Sequence, residues 1–261
     1  MPDLRSFSLD GKVVIQFGGS GLLGRALVAA LAEAGATLVV ASRNPDVLAP
    51  DAEAARQAGR HVHLERVDLT DEASIRALLA RVAQAHGALH GMVYNAVTRT
   101  MSGVNDSLAK WEESMRVNAT GFFAAVRACG DVMAEAGRGS IVNISSQMGT
   151  IGPNFFLYEG TTMGAAPDYF FHKGGMTNFT RYLAAHYGRN GVRVNVVSPG
   201  GIYNPAKPQA PAFLERYGKM TMLGRMAEAR EIGGSVVFLL SDASTYITGA
   251  NLAVDGGYTA K

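Results

Sequence analysis

Apolar residues in this chain fall into two alternating patterns. Short runs rich in Val, Ile and Leu stand at residues 12–17, 37–42, 61–67, 89–94, 140–145, 192–197 and 251–254. Such runs suit strands buried on both faces of a parallel sheet. Between them lie longer Ala- and Leu-rich stretches with helical spacing, clearest at 24–34, 71–86, 108–136, 169–189 and 227–241. Gly35, Gly87 and Gly137 follow several of these, as helix C-termini favour. Strand then helix, repeated, predicts an α/β, Rossmann-like fold: a doubly wound parallel sheet of about seven strands, helices on both faces, joined by right-handed crossovers. The alternation fails between 149 and 168, where glycine, proline, threonine and aromatic residues follow no period. That stretch predicts a long loop at the carboxyl end of a strand, where open α/β sheets bind ligands.

Composition narrows the picture further. A chain of 261 residues, 48% hydrophobic and 18% charged, without internal repeat or linker, predicts a single domain over 1–261 with a well-buried core. Net charge is only +2 and no Lys/Arg cluster stands out, which removes the electrostatic footprint of a nucleic-acid binder. No apolar run approaches the roughly 20 residues that span a bilayer. The start Met1-Pro2-Asp3-Leu4-Arg5-Ser6 lacks the apolar stretch of a signal peptide, and the single cysteine, Cys129, cannot form an intramolecular disulfide. The expectation is a soluble, cytoplasmic protein with a small-molecule substrate and neither a membrane nor a nucleic acid as partner. Six histidines are scattered without a ligand motif, so no metal is expected.

Two features carry chemistry. The first apolar run leads into Gly18-Gly19-Ser20-Gly21-Leu22-Leu23-Gly24 and then directly into an Ala/Leu helix. Glycines in a strand–turn–helix context let backbone amides approach a pyrophosphate at the positive helix end. Far downstream, Tyr169 and Lys173 stand four residues apart, on one face of a helix. A neighbouring ammonium favours the phenolate, which makes a phenol usable as an acid or base near neutrality.

With these in place, the chain resembles the short-chain dehydrogenase/reductase family over essentially its whole length. The likeness rests on Gly18, Gly21 and Gly24 at the turn, Asp68-Leu69, Asn95-Ala96, Asn118 in Val117-Asn118-Ala119-Thr120-Gly121, Ser146, and Tyr169 with Lys173. The segments 191–200 and 247–257 are also close to family segments. The resemblance implies a catalytic set of Asn118, Ser146, Tyr169 and Lys173. In it Tyr169 exchanges a proton with the substrate oxygen, Ser146 hydrogen-bonds that oxygen, Lys173 holds the nicotinamide ribose, and Asn118 positions a water. It further implies a nicotinamide cofactor held by Gly18, Ser20, Gly21, Leu23, Gly24, Ser42, Arg43, Asp68, Leu69, Asn95, Ala96, Tyr169, Lys173, Pro199, Gly200, Ile202 and Asn204. Related chains commonly pair through the long helices, here 108–136 and 169–189, which implies a homotetramer or homodimer.

The chain departs from the family pattern at several positions. Leu22 takes the place of the middle glycine, Phe17 that of a threonine, and Tyr94 and Val97 flank Asn95-Ala96 where asparagine and glycine are more usual. The second strand ends in Ser42-Arg43 with no acidic side chain to repel a 2′-phosphate. NADP(H) is therefore the favoured cofactor, with NAD(H) still usable. The predicted activity is interconversion of a secondary alcohol and a ketone, on a sugar, polyol or oxoacyl substrate. A silent dinucleotide-binding regulator or scaffold, or a lyase or epimerase using transient oxidation, are the alternatives. Tyr158 and Glu159 in the 149–168 loop, with Ser146 and Tyr169, are the candidate substrate contacts.

Overall fold

In the computed structural model, which describes residues 4–260, seven strands form a single parallel sheet. They are β1 (Val13–Phe17), β2 (Thr37–Ser42), β3 (Val62–Arg66), β4 (Gly91–Tyr94), β5 (Gly139–Ile144), β6 (Val192–Pro199) and β7 (Asn251–Val254), in the order β3-β2-β1-β4-β5-β6-β7. The ends of the 1–261 domain assignment, and the first three residues of the segment read for a leader, lie outside the described residues. Side chains within a strand alternate between two cores. Ile15, Phe17, Val39, Met92 and Tyr94 face one, and Val14, Leu38, Val40 and Val93 the other. A strand covered on both faces is apolar at every position, which is why the runs read as continuous.

Helices α1 (Leu22–Glu33), α2 (Ala49–Gln57) and α8 (Gly233–Leu240) pack on one face. The opposite face carries α3 (Glu72–His86), α5 (Phe122–Glu135) and α6 (Pro167–Tyr187). Asp71 caps α3 by accepting from the Ala73 amide at 2.9 Å. The chain turns from β1 outward to β2 and β3, then returns to β4 on the far side of β1. That reversal opens a crevice at the carboxyl ends of β1 and β4, where this architecture binds ligands.

Three local readings change. The helix expected over 108–136 is interrupted: α4 (Leu108–Met115) gives way to a π-helical turn over Arg116–Gly121 before α5 begins. Helical spacing is blind to one extra residue in a turn, and such bulges concentrate at functional sites. An unread helix, α7 (Pro211–Met220), follows β6, with Phe213 and Tyr217 one turn apart and both buried. It packs against the 149–168 segment, which follows a 3₁₀ turn at Gln147–Gly149 and holds another at Phe155–Tyr158. Leu157, Phe213, Tyr217, Met226 and Tyr258 form a third, small core there. Full burial of Leu157 alone stabilises by about 1.5 to 3 kcal/mol. Arg216 of α7 donates to the carbonyls of Phe156 and Glu159. The segment is thus an anchored roof over the crevice. No helix among the described residues is long and apolar enough to cross a membrane.

Candidate active site

Tyr169 and Lys173 lie in the first two turns of α6, which starts at Pro167, a residue whose missing amide costs nothing at a helix N-terminus. Tyr169 is half-buried and Lys173 is 3% exposed. The Lys173 Nζ donates to the Ile144 carbonyl at 2.6 Å and sits 5.7 Å from the centre of the Tyr169 ring. Burial, helped by the charge of Arg99, pushes the lysine down to about 7. A compact ammonium in this position is held by one carbonyl at the end of β5, ready to meet further acceptors from the crevice. Ser146 follows β5 and is nearly buried, its Oγ accepting from the Met148 amide at 3.2 Å. Tyr169, Lys173 and Ser146 line one cavity of about 580 Å³.

Asn118 occupies the π turn and is buried. Its Oδ1 accepts from the Thr98 amide at 2.9 Å, and its Nδ2 donates to the Thr98 carbonyl at 2.8 Å and to Ser114 Oγ at 2.9 Å. Ser114 in turn donates to Asp168 Oδ2 at 2.5 Å. The Asn118 amide thus clamps the loop after β4, with both Nδ2 hydrogens and one lone pair of Oδ1 engaged. It does not line the cavity that holds the other three residues.

A second cavity, about 600 Å³, runs from the glycine turn to the ends of β2 and β3. Gly18, Ser20, Gly21, Ser42, Arg43, Asp68, Leu69, Asn95 and Ala96 line it. Leu23, Gly24, Pro199, Gly200, Ile202 and Asn204 line the Tyr169 cavity instead, and the two cavities meet at Gly21, Asn95 and Val97. The turn's geometry suits a dinucleotide. Gly18 has φ +84° and a Cβ there would come within 2.7 Å of the Ala96 backbone, while one on Gly24 would come within 2.7 Å of the Gly19 backbone. Beside Gly21 the space is open, so backbone amides at the start of α1 are accessible to a pyrophosphate. Buried Gln16 braces the turn from below, donating to the carbonyls of Gly18 and Gly24.

At the far end, Ser42 Oγ is buried without a hydrogen-bond partner, an orphan of the kind a ligand hydroxyl or phosphate satisfies. Arg43 is exposed beside it. Asp68 accepts from the amide and hydroxyl of Thr70, which holds its carboxyl below the usual range. The expected cofactor residues thus share one continuous crevice. Glu159 is exposed and lines none of the three cavities described, whereas Tyr158 lines both the Tyr169 cavity and an apolar neighbour of about 780 Å³.

The family model described as enoyl-(acyl carrier protein) reductase matches residues 20–259. The chain is 36% identical over 260 residues to 2,5-dichloro-2,5-cyclohexadiene-1,4-diol dehydrogenase of Sphingobium indicum, covering 97% of this chain and 98% of that one. The chain belongs to the short-chain dehydrogenase/reductase family. Galactitol 2-dehydrogenase (L-tagatose-forming) of Cereibacter sphaeroides is 35% identical over 260 residues, with 97% of each chain covered. Among solved structures, a gluconate 5-dehydrogenase from Burkholderia cenocepacia, in complex with NADP and tartrate, superimposes with a TM-score of 0.89 at 29% identity over 99% of each chain. The protein is an alcohol oxidoreductase of this family using a nicotinamide dinucleotide.

As a short-chain dehydrogenase/reductase it resolves its own departures from the family pattern. The strand ends at Phe17 and Tyr94 remain tied, because Asn95 Nδ2 donates to the Gly18 carbonyl at 2.8 Å and the Asn95 amide to the Phe17 carbonyl at 2.9 Å. Tyr94 is fully buried and its hydroxyl donates to the Val117 carbonyl in the π turn, at 3.2 Å. The phenol thus braces the turn carrying Asn118. Sequence reasoning missed Thr98, Ser114 and Arg99, which no motif marks. Asp168 and His172 beside Tyr169 and Lys173 were the available signal: both are buried polar residues at helical spacing next to the reactive pair. Burial first, then the charges of Lys173 and Arg99, push His172 down to about 3, so its ring is neutral beside Tyr169.

Proposed function

We propose that this enzyme interconverts a secondary alcohol and a ketone with NADP(H), acting on a cyclic or polyhydroxy substrate. The observation that carries the reading is the buried Lys173 beside half-exposed Tyr169, over a cavity shared with Ser146 and continuous with the glycine turn. The Tyr169 hydroxyl exchanges a proton with the substrate oxygen, and Ser146 donates a hydrogen bond to the same oxygen. Lys173 places its ammonium beside the Tyr169 ring, where it can meet the nicotinamide ribose. Asn118 fixes the β4 loop that walls the site. The dinucleotide supplies or accepts hydride, so no protein nucleophile is required. The apolar cavity beside Tyr158 gives room for a ring or chain, and the named substrates of relatives include a cyclic diol and a sugar alcohol.

Unpartnered Ser42 Oγ and adjacent Arg43, with no carboxylate ending β2, support NADP(H) over NAD(H). One neighbouring structure carries NADP and another is named as NADPH-dependent. The test is nicotinamide absorbance turnover against a panel of cyclic alcohols, polyols, sugars and oxoacyl thioesters. Net redox change is expected. Its absence with every substrate would leave a silent binder or an epimerase. In the same assay Arg43→Ala is expected to weaken NADP(H) by about 1 to 3 kcal/mol, the scale of a charge-assisted contact, and NAD(H) little. Equal loss for both cofactors would remove the phosphate role.

Homo-oligomers are part of the proposal. Phe171 and Tyr182 of α6 and Phe123 of α5 are exposed aromatics on the two long helices, an apolar face suited to a second copy. A light-scattering mass of one chain would count against it.

A further inference from the structure

Arg99 follows the clamped loop after β4 and reaches the Tyr169 cavity. Its guanidinium carbon lies 5.0 Å from the centre of the Tyr169 ring. The backbone that presents it is pinned on both sides. Thr98 is held at its amide and carbonyl by Asn118, and Thr100 Oγ1 donates to the Lys110 carbonyl at 2.7 Å. Yet the guanidinium itself makes neither hydrogen bond nor ion pair among the described residues. Arg99 is exposed at the mouth of the cavity, its guanidinium over the Tyr169 ring and its backbone fixed, so its five donors can exchange solvent for a ligand that enters beside the phenol.

The charges around the cavity specify that partner. Arg99 and Lys173 line it as cations, and the single carboxylate among its lining residues is Asp168. Asp168 is 1% exposed, its Oδ2 accepts from Ser114, and no ion pair joins it to Arg99 among the described residues. The Arg99 guanidinium is near enough to Lys173 and His172 to add to the effect of burial in pushing both groups down. Carboxylates match the planar guanidinium fork in a bidentate pair. We propose that Arg99 is a substrate-anion site, and that the physiological substrate is an alcohol or ketone bearing a carboxylate a few bonds from the reacting carbon. The inference rests on the reading of Tyr169 as the proton-exchanging group. It adds what a neutral polyol would leave unexplained, a preorganised cation facing the reacting atoms. Glu159 loses the specificity role to it, because both side chains are exposed but Arg99 lines the Tyr169 cavity and Glu159 lines none of those described.

The test separates binding from turnover. Cyclohexanecarboxylate and its uncharged amide are titrated calorimetrically into NADP⁺-saturated wild type, Arg99→Leu and Arg99→Lys. The carboxylate is expected to bind wild type about 10- to 100-fold tighter than the amide, the scale of a charge-assisted pair. The preference is expected to vanish in Arg99→Leu and to survive in weakened form in Arg99→Lys. Unaltered NADP⁺ affinity in both variants reports an intact fold. Equal binding of acid and amide to wild type, or a preference that persists in Arg99→Leu, would overturn the proposal. In the turnover arm, hydroxy acids are compared with their amides, and the acid-to-amide ratio of kcat/KM is expected to fall by a similar factor in Arg99→Leu. A carboxylate preference in calorimetry with no turnover of any hydroxy acid would uphold Arg99 as the anion site and overturn both the hydroxy-acid substrate and the reading of Tyr169 as the proton-exchanging group.

Discussion

Tyr169→Phe is expected to lower kcat by about 10²- to 10⁴-fold, the usual contribution of a positioned acid–base group, while NADP(H) affinity holds within a few-fold. The phenylalanine keeps the ring over which Arg99 stacks and beside which Lys173 sits, and removes only the hydroxyl that carries the proton. Loss of a group acting in the transition state lowers kcat and kcat/KM together. Tyr158→Phe is the control. Tyr158 shares the cavity, but its ring packs 5.5 Å from Phe213, and burial raises its pKa rather than lowering it. A phenol in that setting is a poor base near neutrality, so its variant should retain the chemical step. An active Tyr169→Phe beside a dead Tyr158→Phe would reverse the assignment.

Lys173→Met should lose turnover by a comparable factor and yet gain stability in the protein without cofactor, by about 1 to 3 kcal/mol at pH 6. The ammonium ordinarily titrates near 10.5 and is pushed down to about 7 in the fold, chiefly by burial. Below pH 7 folded and unfolded chains both hold the proton, and the whole cost of the buried charge is present. Between about 7 and 10.5 the unfolded chain binds a proton that the folded one does not, so unfolding takes up a proton and the stability of the wild type rises with pH. The advantage of methionine should therefore be greatest below pH 7 and shrink across that window. Melting temperatures of both proteins from pH 6 to 10 supply the check. A constant offset would mean that the lysine is not carrying a buried charge. The freed Ile144 carbonyl, which now accepts from Nζ, opposes part of the gain.

Arg99 and Lys173 show why sites of this kind resist cheap substitution. The same low dielectric that makes the ammonium costly also makes its field strong at the phenol. Removing the cost removes the field. Stability and activity should then move in opposite directions at this position, whereas at Leu157 in the roof they should fall together.

The strands, their order along the chain and the common face of Tyr169 and Lys173 are legible in the sequence. The inner strands are buried on both faces, so their apolar runs are nearly continuous, while β3 and β7 at the sheet edges are partly exposed; β2 and β7 begin and end where the pattern does. The i,i+4 spacing of Tyr169 and Lys173 decides their common face because a helix has no other option. The glycine turn was legible for a similar reason: contacts of 2.7 Å at Gly18 and Gly24 exclude a side chain. The remaining features depend on contacts between distant segments. The π turn at Asn118 is braced by Tyr94 and Thr98 at the end of β4, and by Ser114 one turn back in α4, which is itself bonded to Asp168 of α6. The 149–168 segment became a roof through α7, some 55 residues further on, whose Arg216 binds its Phe156 and Glu159 carbonyls. Arg99 looked like any solvated loop residue, because local sequence carries no record of which side chains remain without a partner once the chain has folded. Helical and strand periods are local properties of the backbone, while hydrogen-bond satisfaction and the balance of charge around a cavity are properties of the assembled fold.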